Sequence, residues 1–130
     1  MSSAYESASG SVLSFGWALQ LMEAQLGLDA MIEGEPEREG IYREAVRIAA
    51  DAYCHAAERP VVVDGEEVTF GYVQAIFRHL TSEHVTYVVD RLDRYPRAIR
   101  YKKAFLRTAL VNAVFEMETE AANAYAVSRI

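Results

Sequence analysis

Cysteine is nearly absent from this sequence. The 130 residues contain one, Cys54, so no internal disulfide can form. A chain of this length does not need one, since about 130 residues bury a sizeable core unaided. That usage fits a reducing, cytoplasmic setting. Proline is also scarce, at three residues, which leaves room for long helices. There is no uninterrupted apolar run long enough to span a bilayer. The richest stretch, "VLSFGWALQLMEAQLGLDAMI", is broken by Gln20, Glu23, Gln25 and Asp29. The N-terminal "MSSAYESASGS" has no basic segment followed by an apolar core, so it does not read as a signal peptide. No membrane partner is expected. Phosphate-binding glycine loops and a GxSxG nucleophile motif are missing as well.

Positive charge is short overall and unevenly spread. The formal net charge is −6. Residues 1–90 hold fifteen acids and five bases, whereas residues 91–107 hold seven bases and one acid, Asp93. The balance argues against general coating of nucleic acid and leaves a focused anion contact open at the basic segment.

Periodicity predicts a mostly α-helical, compact bundle of about five helices with one small β-hairpin, over about 61–69. Residues 1–10, rich in Ser, Ala and Gly, are expected to be a flexible N-terminus, with residues 11–130 forming one helical domain. A first helix is expected over about 12–27, capped by Ser11. It carries two apolar stripes, Leu13, Trp17, Leu21, Ala24, Leu28 and Phe15, Leu19, Met22, Leu26. A helix apolar on both faces is covered by its own domain or by a partner. Trp17 and Leu21 are therefore candidates for a homodimer face. "EGEPEREG", 33–40, reads as an acidic connector. A second helix follows over about 38–58. "VVVDGEEVTF" reads as a tight hairpin turning at Asp64-Gly65. Two further helices are expected over about 70–80 and 82–94, the latter capped by Thr81 or Ser82. The last runs over about 98–126, with Leu106, Leu110, Ala113, Val114, Met117 and Ala121 on one face.

On a helix starting near Ala98, Arg100, Lys103 and Arg107 stand on one face at spacings of three and four. Arg94 and Arg97 join from the preceding turn and Lys102 lies to one side. Cations in a first helical turn oppose the macrodipole, at a cost of roughly 0.3–1 kcal/mol each when exposed. A negative partner is therefore expected. It is either internal, from Asp90, Asp93, Glu66 and Glu67 as weak surface pairs, or external. Externally it is a nucleic-acid phosphate or an acidic protein surface. The expected partner-binding set is Arg94, Arg97, Arg100, Lys102, Lys103 and Arg107, and reversal of Arg100 and Lys103 is expected to leave the melting temperature unchanged.

Catalytic groups are not expected. Cys54 and His55 are adjacent on a helix and point about 100° apart, and His79 and His84 straddle a helix break, so neither pair suits a metal. No metal or other cofactor is expected. His84 is expected to act locally in a first helical turn. Glu116 and Glu120 share a face that reads as solvated, with Glu118 on another. Cys54 reads as a small core residue. Asn112, among apolar residues, is expected to be buried and tied to a neighbouring backbone.

The run "VTFGYVQAIFRHLTSEHVTYVVDRL" and then "IRYKKAFLRTALVNAVFEME" resembles the uncharacterised C-terminal domain of replication initiator protein A from Firmicutes plasmids and integrative elements, over about residues 42–120. The resemblance rests on Phe77, Leu80, His84, Tyr87, Val88 and Leu92. It continues through Ile99, Arg100, Lys103, Ala104, Leu106, Thr108, Ala109, Leu110, Asn112 and Ala113. It implies an interaction module of a mobile genetic element, contacting a host protein or nucleoprotein such as the helicase-loading machinery. Tyr101 stands where the family usually has Asn. The winged-helix segment of the full-length initiators has no counterpart here. The chain is thus expected to be an excised piece or a free-standing relative, and the resemblance does not carry initiator activity over to it. Two other functions remain open from sequence: a small acidic inhibitor that imitates DNA through the twelve acids between Glu23 and Glu67, and direct DNA binding through the basic segment.

Overall fold

The computed structural model describes residues 12–128, and side chains as far as residue 118. Ser11, residues 1–10 with their expected flexibility, and the side chains of Glu120 and Ala121 lie outside those limits. The fold is mostly helical, with one two-stranded antiparallel hairpin, as the periodicity predicts.

Helix α1, Phe15–Leu26, is capped by Ser14, whose hydroxyl accepts from the Trp17 N–H at 3.3 Å. It ends at Gly27, which takes a left-handed conformation (φ 65°) that glycine adopts without strain. The chain then continues into α2, Leu28–Gly34, and a 3₁₀ turn, Pro36–Arg38. The acidic stretch expected as a connector is thus largely helical. Leu28, Met31 and Ile32, just ahead of that stretch, pack against the core and hold α2 there.

Helix α3, Glu39–Asp51, is the central element. It buries Ile41, Tyr42, Ala45, Val46, Ile48, Ala49 and Ala50. Its alanines let α1 approach closely on one side. A 3₁₀ turn, Ala52–Cys54, closes it, so the helix stops short of the expected residue 58. Strands β1, Pro60–Val63, and β2, Glu66–Thr69, pair with Val61 opposite Val68 and Val63 opposite Glu66. Asp64 (φ 58°) and Gly65 (φ 82°) both take positive φ, as a two-residue hairpin turn requires. The hairpin docks on the last helix, where the Asp64 N–H donates to Thr108 Oγ1 at 3.3 Å.

Helix α4, Phe70–Phe77, is capped by Thr69, and α5, Ser82–Leu92, by Thr81. A short helix α6, Arg97–Arg100, precedes α7, Lys103–Ser128. Tyr101 and Lys102 separate them, so the single helix expected from about 98 is interrupted. Leu106, Leu110, Val111, Ala113 and Val114 of α7 complete the core, packed on α3 and α5. Among the described residues no helix is long and apolar enough to cross a membrane.

Candidate functional site

The basic segment does not form one face. The break at Tyr101–Lys102 puts Arg100 on one helix and Lys103 and Arg107 on another, and the cations divide into three groups. Lys103, though exposed, reaches the end of α3, its Nζ 3.1 Å from Asp51 Oδ2. Arg107 lies over the Phe70 ring, 5.7 Å from its centroid. His55 stacks on the same ring, with centroids 4.1 Å apart. Arg59 donates to His55 Nδ1 at 3.0 Å, which leaves Nε2 as the donor to Asp51 at 3.2 Å. Both imidazole nitrogens are thereby committed.

The second group ties α3, α5 and α6 together through Arg38. This guanidinium meets Asp90 at 2.8 Å, Asp93 at 3.4 Å and Glu35 at 3.8 Å. The Tyr42 oxygen, first, and the Asp90 carboxylate hold its pKa above the ordinary arginine value. Tyr42 is buried and donates to Glu35, and burial pushes its hydroxyl pKa up. Arg100 joins from α6 at 3.6 Å from Asp93. Gly40 leaves room for Tyr101, since a Cβ there would sit 3.3 Å from the Tyr101 hydroxyl. So Asp90 and Asp93 do take up positive charge, but mainly that of Arg38, while Glu66 and Glu67 pair with none of the cluster among the described residues.

The third group is free of carboxylates. Arg91, Arg94, Arg97 and Lys102 are exposed and make no ion pair among the described residues. They surround the corner where α5 passes through α6 into α7. Arg91 donates to the Tyr87 hydroxyl at 3.1 Å and lies 5.2 Å from that ring's centroid. Arg94 Nε donates to the Arg91 carbonyl at 3.3 Å. Arg97 lies 5.8 Å from the Tyr101 ring centroid. Tyr95 and Ile99 stand exposed among them, at 42% and 38% of their surface.

Beside this corner, a groove between α5 and α7 is floored by Val88, Leu92, Phe105 and Ala109 and flanked by Arg91, Tyr95, Asn112 and Glu116. Tyr95 and Phe105 meet edge to face at 5.2 Å. Glu116 accepts from the Tyr87 hydroxyl at 3.3 Å. Asn112 is half-buried in the groove wall, and among the described residues no hydrogen bond ties it to a neighbouring backbone. The buried amide is Gln74 instead. Its Nε2 donates to the carbonyls of Ala52 and His55, each at 3.0 Å, and so closes the end of α3.

His84 holds the start of α5 locally, as expected. Its Nδ1 accepts from the Thr81 N–H at 2.9 Å, and burial lowers its pKa. Cys54 is half-buried, and burial, followed by the nearby Asp51 charge, raises its pKa. The thiol therefore stays protonated at neutral pH, a state that nucleophilic chemistry does not use. Among the described residues no three His, Cys, Asp or Glu side chains converge as a metal site. Trp17 and Leu21 lie on the outside of α1, exposed at 57% and 49%. The core side of α1 is Ala18, Met22 and Leu26.

No family model matches this chain, and no curated protein or solved structure is found to be similar to it.

Proposed function

We propose that this chain is a non-enzymatic interaction module that docks an acidic surface of a protein partner through the corner of residues 91–102. One observation carries this reading: Arg91, Arg94, Arg97 and Lys102 face solvent with no carboxylate partner among the described residues, and Tyr95 and Ile99 lie exposed between them. Arginine and tyrosine are the residue types that most often anchor protein interfaces, and unpaired charge at the rim steers a partner of opposite sign. Exposed apolar side chains amid the charges favour a protein over a phosphate backbone, whose contacts are polar. The resemblance to the replication-initiator C-terminal domain extends the proposal. The partner is then a protein, or a nucleoprotein, of the host replication machinery, met by a module of a mobile element. DNA mimicry has weaker support, because Glu35, Glu39, Glu44 and Asp51 are engaged by Tyr42, Arg43, Arg47 and Lys103.

The test is capture from a host lysate by wild type and by an Arg94→Glu, Lys102→Glu variant, with and without nuclease. A partner lost in the variant and retained after nuclease supports the proposal. Retention by the variant removes the corner as the contact. Loss on nuclease treatment, with binding that falls steeply with salt, makes the ligand DNA instead.

A further inference from the structure

Helix α1 presents to solvent a stripe made of Gly16, Trp17, Gln20, Leu21 and Ala24, all of them exposed. None carries a charge. The one charged residue of the helix, Glu23, is half-buried at its margin. In a protein of net charge −6, these residues add no like-charge repulsion of their own when two copies meet here. The stripe contains both a knob and a hole. The knob is Trp17. The hole is a depression of about 400 Å³ lined by Gln20, Glu23, Ala24, Gly27, Leu28, Asp29 and Ala30. Trp17 and Ala24 are seven residues apart, about 10.5 Å along the helix axis.

We infer that this face is an isologous dimer interface, with α1 packed antiparallel on α1 of a second copy. A two-fold axis between Gln20 and Leu21 puts Trp17 of each copy opposite Ala24 of the other. Each indole then enters the other copy's depression, and Leu21 lies at the centre beside its own counterpart. A two-fold contact must be self-complementary, and one large residue facing one small residue, twice, meets that condition. The indole N–H needs an acceptor once desolvated, and Glu23 and Asp29 supply carboxylates at the rim of the depression. A stripe one helix long falls short of the area typical of permanent dimers, so association in the micromolar range is expected. The basic corner lies on other elements of the fold and plays no part in the contact.

Trp17 is the only tryptophan, so it reports on its own burial. The experiment is sedimentation equilibrium with intrinsic fluorescence across a dilution series, on wild type, Leu21→Glu and Ala24→Arg, each checked for unchanged helicity by circular dichroism. Both substitutions are at exposed positions and spare the core. Wild type should be dimeric at high concentration with blue-shifted emission, shifting red on dilution. Both variants should be monomeric, with red-shifted emission throughout. A wild type that stays monomeric with water-exposed emission overturns the proposal. So does a dimer whose Trp17 emission is unchanged by dilution and red, or one that persists in both variants.

Discussion

Thr81 and His84 hold each other reciprocally at the start of α5. The Thr81 N–H donates to His84 Nδ1 at 2.9 Å, and the His84 N–H donates to Thr81 Oγ1 at 3.4 Å. A glutamate or glutamine commonly fills the histidine's place in this arrangement. Here an imidazole does so, and it accepts only while neutral. Burial lowers its pKa below the ordinary 6.5. The unfolded chain therefore takes up the proton first as pH falls. The stability contributed by this cap is complete above about pH 6.5 and is lost as pH drops through the lowered folded value. Thermal melts from pH 8 to 5 should show this acid-side loss in wild type and a reduced one in His84→Gln. His84→Ala should lose about 1 kcal/mol at pH 8 as well.

Lys102 and Lys103 are neighbours with opposite fates. Lys102 is exposed with no ion pair among the described residues, and Lys103 reaches Asp51 at 3.1 Å. Lys102→Glu should leave the melting temperature within error. Lys103→Glu places two carboxylates together and should destabilise by about 1 kcal/mol, with the loss shrinking in high salt. The expectation from sequence, that reversing Arg100 and Lys103 leaves stability untouched, does not survive their contacts with Asp93 and Asp51. Equal melting temperatures for the two lysine variants would remove the Asp51 pair as a stabilising contact.

Two glycines should respond oppositely to alanine. At Gly71, a Cβ would lie 3.1 Å from both the Ala57 Cβ and the Ala57 carbonyl oxygen, and that oxygen also accepts the Gly71 N–H at 2.8 Å. Both atoms belong to Ala57, whose backbone that hydrogen bond holds in place, so Gly71→Ala should cost about 1–3 kcal/mol in denaturant melts. At Gly16 nothing lies within 4 Å. Gly16→Ala should be neutral or stabilise by up to about 0.5 kcal/mol through helix propensity.

Gln74→Leu fills the same space with an apolar side chain but strands the carbonyls of Ala52 and His55. The expected cost is about 1–3 kcal/mol, together with faster amide hydrogen exchange over residues 50–58.

The elements that could be read in the sequence are those whose own residues decide them. Asp64-Gly65 between β-branched runs specified the hairpin, and Thr81 or Ser82 ahead of Glu83 marked the start of α5, with Thr81 as the cap in the structure. The exposure of Trp17 and Leu21 agrees with a first helix that is apolar on more sides than one core can cover. What was not legible depended on distant contacts. Asn112 drew attention as a lone amide on a core helix, yet the α7–α5 groove leaves its position open. Gln74 stood in the same relation to Phe70, Val73 and Phe77, and the carbonyls beyond the buried end of α3 made it the amide that is needed. The acidic 33–40 stretch hid helical turns because the apolar residues that anchor them, Leu28, Met31 and Ile32, lie just ahead of it. Arg38 escaped notice altogether, since its partners Asp90 and Asp93 lie more than fifty residues away.

The interruption at Tyr101–Lys102 resets helical phase. On an unbroken helix each residue advances about 100°, and cations at spacings of three and four keep a common bearing. With the break, α6 and α7 keep separate bearings, so Arg100 aims at α5 while Lys103 aims at α3. Two non-helical residues thus assign the same residue type to different duties along a dozen positions. A change that fused α6 to α7 would realign those charges into one stripe, exchanging the two ties of Arg100 and Lys103 for a single uncompensated line of positive potential.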